Sequence, residues 1–416
     1  MSGITVVYPA AHGGFAREPV PLGGGAAIAN LLEAEWLRTR PFELRMVTPH
    51  QVFAGAGPSG RKLVQFSEMQ YARFCHEFRA AATREVLRYD PRVTKVLIND
   101  ISEAPDFRRL AEAGFELHTI YHVDVVAYVA AMYGRSLIRP ETLTALWEKL
   151  RVLPWPRILR LVFENQRDSL LYSRSVIVPS AAMKTLLRRM YPSVDADKIH
   201  VLPWGSPYVP CEIRIEDRAA ARERFGIASD AMVLLAMSRI SPEKGQDLLL
   251  EALALWEQAP DYPQRPVHLL LCGEPAFMRG ERFARRLRTL AARLRRVQVH
   301  WPGYVSGSLK EAVYAAADVY VFPSRHESYG LTLMESLAHG LPAIALDHYG
   351  AQEIMREDFG WLVTGLDGLT RALGRCAAST TDLQTMGRAA LQYAGERPFG
   401  QTAARLAKLL LSRSEQ

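Results

Sequence analysis

The sequence is poor in cysteine and lacks the paired spacing that marks a metal site or a disulfide frame. The 416 residues include four widely separated cysteines, Cys75, Cys211, Cys272 and Cys376. No run of about 18 apolar residues occurs, and no basic segment precedes the first apolar run at residues 4–8. A disulfide-stapled secreted domain, a spanning helix and a signal peptide are therefore not expected. We expect a cytoplasmic protein with reduced thiols.

The composition is that of an ordinary globular protein. Hydrophobic residues make up 49% and charged residues 23% of the chain, which argues against a disordered or collagen-like chain. At roughly 150 residues per domain, the length corresponds to two or three domains. The net charge of +7 favours an anionic partner: a nucleotide, a phosphorylated substrate, an acidic membrane surface or a nucleic acid. Charge alone does not choose among them.

Short apolar strands alternate with amphipathic helices along the chain, and the alternation restarts near residue 232. This order predicts βαβ units and parallel sheets. Three prolines and one glycine at residues 202–210 indicate a linker. We predict an α/β protein with two doubly wound domains, 1–205 and 206–397, and a C-terminal helix within 398–416. Ligands of such folds bind beyond the carboxyl ends of the strands. The loops that follow the strands of both domains would therefore line a cleft between the domains.

Residues 127–174 fit this alternation poorly. They form a long helical pattern that contains prolines and the aromatic residues Trp147, Trp155 and Phe163. We interpret the segment as a helical excursion from the first domain. Extra packing is the favoured explanation, and a lid, a wall of an acceptor site or a membrane-touching patch are the alternatives.

The strongest chemical signal is a pair of glutamates, Glu327 and Glu335. Glu327 lies in the loop after the predicted strand 319–322, and Glu335 lies in the following helix. Carboxylates at these places can accept hydrogen bonds from sugar hydroxyls, and the glycine and amides where the helix begins favour a phosphate. The plain alternative is that both acids stabilise the positive end of a helix dipole.

Two cations follow the strand 232–237. Arg239 and Lys244 are separated by a short loop that contains a proline, and Gly245 precedes the next helix. A guanidinium and an ammonium group at the carboxyl end of a strand can hold a diphosphate. The alternative is a solvated turn.

Two weaker signals lie in the first domain. Gly23, Gly24 and Gly25 precede the helix 26–38, and glycines allow close approach of the backbone to a phosphate or a sugar. His122 follows the strand 116–121. A glycine triplet or a single histidine is more often structural than functional.

Together these motifs resemble the retaining family 4 glycosyltransferases of the GT-B fold. The resemblance rests on the Arg239-x4-Lys244-Gly245 and Glu327-x7-Glu335 spacings, the glycine-rich first loop and His122 at a strand end. Further segments match the family's strands, linker and loops: 176–180, 198–203, 302–304, 316–324, 339–342 and 350–353. The resemblance implies two Rossmann-like domains that face a cleft, with the acceptor on the first domain and the donor on the second.

The resemblance also implies a role for each candidate residue. Arg239 and Lys244 would hold the diphosphate of a UDP- or GDP-sugar without a metal ion, since no Asp-x-Asp motif follows a strand. Glu327 would bind the donor sugar and Glu335 the ribose. His122 would touch the donor sugar near the reacting centre. The remaining donor-binding positions would be Gly23, Gly24, Gly25, Tyr329, Gly330 and Leu331.

The expected reaction is transfer of a sugar to a hydroxyl of a sugar, lipid-linked or small-molecule acceptor, with no cofactor. A same-fold nucleotide-sugar epimerase and a non-catalytic sugar-nucleotide-binding protein are the alternatives. A peripheral contact at the inner membrane face stays open, as do the oligomeric state, the sugar and the base. Nucleic-acid binding is not expected, because the arginine-rich stretch 282–296 carries one aromatic residue, Phe283.

Overall fold

The structure is a computed structural model that describes residues 3–15, 23–55, 57–127, 130, 139–153, 155, 157–276 and 280–412. Its contacts divide the chain into two units. The first unit comprises Met1–Trp204 and Gly400–Gln416, and the second comprises Gly205–Phe399.

The first unit is built on a parallel sheet with the strand order β2-β1-β3-β4-β5-β6. The strands are β1 Thr5–Pro9, β2 Glu43–Val47, β3 Thr94–Ile98, β4 Glu116–Ile120, β5 Ser173–Val178 and β6 Ile199–Val201. The chain moves from β1 to β2 on one side and then to β3 on the other. The topological switch point, where ligands of such sheets bind, therefore lies between β1 and β3.

The helices of this unit lie between its strands. They are α1 Gly24–Thr39, α2 Pro49–Val52, α3 Gly60–Leu63, α4 Glu68–Val86, α5 Phe107–Glu112, α6 Pro140–Leu150, α7 Arg157–Tyr172 and α8 Ala181–Met190. Ser67 caps α4 in a capping box with Gln70, which satisfies amides that the first turn leaves unpaired. The apolar pattern predicts a helix that starts at Gln70, so α4 begins two residues earlier than predicted.

The second unit is also built on a parallel sheet, with the order β12-β11-β10-β7-β8-β9. The strands are β7 Met232–Met237, β8 Val267–Cys272, β9 Val297–Gly303, β10 Val319–Phe322, β11 Ala343–Leu346 and β12 Gly360–Val363. Every residue of β7, β8, β10 and β11 is buried, as expected of parallel strands covered on both faces. The switch point lies between β7 and β10.

The remaining helices complete both units. They are α9 Ile215–Arg224, α10 Gln246–Trp256, α11 Gly280–Ala291, α12 Gly307–Ala316, α13 Leu331–Ala338, α14 Tyr349–Ile354, α15 Gly365–Ala378, α16 Thr380–Gly395 and α17 Phe399–Leu411. The last helix packs on the first unit, where the Trp36 indole donates to the Ala403 carbonyl at 3.1 Å. Among the described residues, no helix combines the length and the apolar character needed to cross a bilayer.

The described part of segment 127–174 is helical, in α6 and α7, and ends in β5. Residues 128–129, 131–138, 154 and 156 lie outside the described residues. Trp147 stacks on Phe163 with ring centroids 4.8 Å apart, and Trp155 lies 5.4 Å from Trp147. Trp147 and Phe163 are buried. These contacts support packing as the role of this part of the segment.

Candidate active site

Arg239 and Lys244, which are predicted to hold a diphosphate and are called the diphosphate clamp, lie at the switch point of the second unit. Arg239 and Lys244 follow β7, and Glu327 follows β10, the neighbouring strand. Lys244 Nζ donates a hydrogen bond to Glu327 Oε2, and the two side chains are only 11% and 23% exposed. The structure thus brings together two residues that stand 83 positions apart in the chain.

The ionisation of Glu327 is favoured by the groups around it. Burial by itself would raise the pKa of this carboxyl group, but Lys244, His348 and Arg239 outweigh the effect, and the pKa lies below its usual value. Glu327 is therefore ionised at neutral pH. An ionised carboxylate accepts hydrogen bonds only, so it suits hydroxyl donors.

Glycine at position 245 allows this pairing. Gly245 has φ +65° and ends a 3₁₀ turn that contains Lys244. A Cβ at this position would lie 1.9 Å from the carbonyl oxygen of Pro323, in the loop after β10. Any larger residue would force the two loops apart and separate Lys244 from Glu327.

Arg239 completes the cationic side of this group. Its Nη2 lies 3.8 Å from Glu243 Oε1, and its side chain is 26% exposed. Gln246 donates from Nε2 to the Arg239 carbonyl at 2.7 Å, which fixes the backbone on which the guanidinium stands. The partly exposed guanidinium can thus reach an anionic ligand without leaving a deeply buried ion pair.

Glu335 is held by a different set of partners. Its Oε2 accepts from Tyr314 OH at 2.9 Å and lies 2.8 Å from Lys310 Nζ. Burial by itself would lower the pKa of Lys310, but contact with Glu335 raises it above its usual value. Two donors thus converge on one oxygen of Glu335 and fix the direction of its carboxylate.

The loop before α13 presents backbone amides. Gly330 is the N-cap of α13, and no side chain caps the helix. The amides of its first turn, which begins at Leu331, are therefore available to an anion. The Tyr329 side chain has a structural role, because its hydroxyl accepts from the Gly205 amide at 2.9 Å.

In the first unit, Gly25 and His122 lie in contact. Gly24 and Gly25 form the first turn of α1, with Gly23 as the N-cap, so the helix begins earlier than predicted. A Cβ at Gly25 would lie 3.2 Å from Cδ2 of His122. Glycine at this position lets the helix approach the histidine ring closely.

Asn99 decides which nitrogen of His122 carries the proton. The Asn99 Nδ2 group faces the Gly25 carbonyl at 3.4 Å and Asp100 Oδ1 at 3.1 Å, which are both acceptors. Asn99 Oδ1 therefore accepts from Tyr8 OH at 2.5 Å and from His122 Nε2 at 2.9 Å. The imidazole is thus protonated at Nε2, and Nδ1 is its acceptor atom.

Burial lowers the pKa of His122 to about 4, although Asp100 acts in the opposite direction. The unfolded histidine titrates near 6.5. Between these two values the unfolded chain binds more protons, so stability is full above about pH 6.5 and falls as the pH drops toward 4. We expect the free energy of unfolding of the first unit, measured in urea, to fall by roughly 3 kcal/mol over this range.

His122→Gln should remove this part of the pH dependence while keeping an amide donor for Asn99. If the free energy of unfolding changed with pH equally in the variant and the wild type, a neutral buried His122 would be contradicted.

A group of titratable side chains surrounds His12 in the same unit. His12 Nδ1 lies 3.5 Å from Asp100 Oδ1 and Nε2 lies 3.8 Å from Glu103 Oε1, while Tyr71 OH donates to Glu103. Burial by itself would raise the pKa of Asp100, but His12 and His122 lower it below its usual value. Burial raises the pKa of Glu103. This polar group lies beyond β1 and β3, at the switch point of the unit.

The candidate residues thus form one group in each unit. The group of the second unit comprises Arg239, Lys244, Glu327, Tyr329, Gly330, Leu331 and Glu335, and the group of the first comprises Gly23, Gly24, Gly25 and His122. Glu335 is fixed by Lys310 and Tyr314 rather than by the clamp cations.

Residues 217–372 match the family model for glycosyl transferases group 1. This range contains β7 to β12 and every candidate residue of the second unit. The resemblance to the family 4 glycosyltransferases of the GT-B fold is confirmed.

Curated relatives match part of the length of this chain. A D-inositol 3-phosphate glycosyltransferase of Streptomyces griseus is 35% identical over 214 residues, which are 49% of this chain and 44% of the relative. A mannosylfructose-phosphate synthase of Agrobacterium fabrum is 30% identical over 159 residues, 36% of this chain and 33% of the relative. The chain thus spans about half of the length of these relatives or less.

Solved structures match the whole chain in fold. Sucrose-phosphate synthase of Thermosynechococcus elongatus has a TM-score of 0.72 at 20% identity and covers 98% of both chains. Anabaena HepE, in complex with UDP and glucose, has a TM-score of 0.67 at 18% identity and covers 99% of this chain and 100% of its own. At these identities the likeness establishes the fold.

Sequence reasoning missed several residues of both groups. Asn99, Asp100 and His348 follow the apolar strands β3 and β11 directly, and polar residues at such strand ends are a usable signal. Lys310 and Tyr314 had no such signal, because they lie on α12, which is separated in sequence by the strand β10 and a loop from the helix that contains Glu335.

Proposed function

We propose that the protein is a retaining glycosyltransferase that moves a sugar from a UDP- or GDP-sugar to an acceptor hydroxyl. The observation that supports this most directly is the partly buried Lys244–Glu327 pair beside Arg239 at the β7/β10 switch point. A sugar diphosphate carries phosphate oxygens at one end and hydroxyls at the other. The Lys244 ammonium group can bind the phosphate oxygens, and the Glu327 carboxylate beside it can bind the hydroxyls.

In the proposed reaction the bond between the anomeric carbon and the diphosphate oxygen breaks, and a bond to the acceptor oxygen forms on the same face. The acceptor proton passes to the departing phosphate oxygen, so the nucleoside diphosphate leaves as the second product. Arg239 and Lys244 stabilise the negative charge that develops on it. Glu335 binds the ribose, Glu327 binds hydroxyls of the transferred sugar, and the amides at Gly330 and Leu331 face a phosphate.

His122 is assigned a contact with the transferred sugar. Its Nδ1 atom, the acceptor of a neutral ring, suits a hydroxyl donor. The acceptor belongs to the first unit in this proposal, where carboxylates and histidines beyond β1 and β3 offer hydrogen-bond partners for hydroxyls.

A thermal-shift screen across UDP- and GDP-sugars identifies which nucleotide sugar the protein binds. Product analysis with the donor that stabilises the protein then shows whether the sugar is transferred. Retention of anomeric configuration in a transferred product is the expected result. A donor that stabilises the protein without release of nucleoside diphosphate would indicate a binding protein. Conversion of the donor to another nucleotide sugar would indicate an epimerase.

The proposed chemistry needs no divalent ion, because Arg239 and Lys244 supply positive charge at the diphosphate. Saturating EDTA is therefore expected to leave the initial rate unchanged. Rates are compared before chelation, after chelation and after addition of Mg²⁺ or Mn²⁺. Activity that EDTA abolishes and either ion restores would show that the cations do not suffice.

A further inference from the structure

Three buried polar atoms at the carboxyl edge of the second sheet have no hydrogen-bond partner among the described residues: Gln246 Oε1, Ser324 Oγ and His348 Nε2. Gln246 begins α10 after the β7 loop, Ser324 follows β10, and His348 follows β11. Buried polar atoms nearly always have partners in folded proteins. Three such atoms beyond three neighbouring strands indicate that something else bonds to them.

His348 is the most sharply defined of the three. It is the N-cap of α14, and its Nδ1 accepts from the Ala351 amide at 3.2 Å. The proton of the neutral ring is therefore on Nε2, which makes the unpartnered atom a donor. The ring is 7% exposed and packs edge-on against Phe322, with centroids 5.3 Å apart. Its position and tautomer are thus fixed before any ligand binds.

The ring of His348 is uncharged at neutral pH. Burial lowers its pKa to about 4, and the positive charge of Lys244 acts in the same direction. The carboxylate and the backbone carbonyl of Glu327 both oppose this effect. Three titratable neighbours face it: Glu327 and His326 from the loop after β10, and Lys244 from the loop after β7. His348 therefore contributes a neutral N–H group rather than a second cation.

Glu327 lies beside this donor. The Gly350 amide in α14 donates to the Glu327 carbonyl at 3.0 Å, which ties the loop after β10 to the helix that His348 caps. The site thus combines a fixed N–H donor with an ionised carboxylate acceptor. A phosphate oxygen can only accept a hydrogen bond, whereas a hydroxyl can accept one and donate one.

We propose that His348 and Glu327 together bind one hydroxyl of the donor sugar, which accepts from His348 Nε2 and donates to the Glu327 carboxylate. The inference rests on the proposed function and makes His348 a specificity-determining residue. Donors that lack this hydroxyl, or that present it with the opposite configuration, would leave both groups unpaired, which is strongly unfavourable in a buried site.

The test uses His348→Asn, which keeps an acceptor for the Ala351 amide, since asparagine is a good N-cap residue, but lacks the Nε2 donor. We expect kcat/KM for the parent donor to fall about 3- to 10-fold. UDP-glucose is the first parent donor, and GDP-mannose replaces it if the thermal-shift screen favours the guanine nucleotide. His348→Gln, whose amide nitrogen can approach the place of Nε2, should recover part of the loss.

Donors with a single hydroxyl replaced by hydrogen locate the contact. For the deoxy donor that lacks the contacted hydroxyl, the wild type and His348→Asn should have the same kcat/KM. For every other deoxy donor, kcat/KM of the variant should show the full loss seen with the parent donor. Binding of the free nucleoside diphosphate should be unchanged. His50→Asn, at an exposed position, is the control for the substitution itself.

An equal loss with every deoxy donor, or a parallel loss of affinity for the nucleoside diphosphate, would overturn the assignment to a sugar hydroxyl. Wild-type rates in a folded His348→Asn variant would also overturn it. If the wild type neither binds nor turns over any nucleotide sugar, the proposed function itself fails. These results are distinguishable because the first three outcomes compare the variant with a wild type that binds and turns over a nucleotide sugar.

Discussion

Lys244→Ala is expected to lower kcat/KM for the nucleotide sugar by at least ~10-fold. A charge-assisted hydrogen bond contributes about 1.5–3 kcal/mol, and Lys244 is proposed to make one to the departing diphosphate. The substitution also removes the direct partner of Glu327. Without that partner, burial would raise the pKa of Glu327, so the acidic limb of the pH–rate profile should move to higher pH.

Two variants separate these effects. Lys408→Ala removes a lysine from an exposed position on α17 and should leave both kcat/KM and the pH profile unchanged. Arg239→Ala should lower kcat/KM similarly with a smaller change in the pH profile, because Arg239 acts on Glu327 less strongly than Lys244 does. Wild-type kinetics for Lys244→Ala and Arg239→Ala together would rule out the clamp.

Glu335→Ala is expected to destabilise the second unit by about 3–5 kcal/mol, the usual effect of removing one partner of a buried ion pair. Lys310 is 19% exposed and Glu335 12%, so the lysine would lose its partner where water reaches it poorly. Tyr314, which is fully buried, would lose its oxygen acceptor and keep only the Met237 sulfur at 3.6 Å. Urea unfolding monitored at several pH values measures the loss.

The role of Glu335 in ribose binding needs a variant that folds. Glu335→Gln keeps an oxygen acceptor for Tyr314, and the double variant Glu335→Gln/Lys310→Met removes both charges together. In folded variants we expect weaker binding of UDP or GDP and unchanged binding of inorganic pyrophosphate, since only the former carries a ribose. Equal affinities for the nucleoside diphosphate in wild type and variant would show that Glu335 is purely structural.

Hydrophobic runs predicted most of the two sheets. Strands β7 and β10 are continuous apolar segments and begin and end as predicted, because strands covered on both faces tolerate few polar residues. Strand β12 was not predicted. It lies at the edge of its sheet, and only its first residue is buried, so its sequence lacks both a continuous apolar run and a clear alternation.

The spacing of the motifs predicted which side chains follow which strands. Arg239 and Lys244 after β7, and Glu327 after β10, could be placed at one edge of a parallel sheet from the order of elements alone. The sequence by itself thus determined the family resemblance, the fold class and the residues available at this edge. Local patterns suffice for this, because a strand end and the loop after it are adjacent in the chain.

The tertiary structure alone decided how these residues are partnered. The pairing of Lys244 with Glu327 depends on the close approach of two loops at Gly245. The tautomer of His122 depends on how Asn99 is oriented, and the direction of the Glu335 carboxylate depends on Lys310 and Tyr314. Charge state and hydrogen-bond direction are set by neighbours that are distant in sequence, so they emerge only when the sheet brings those neighbours together.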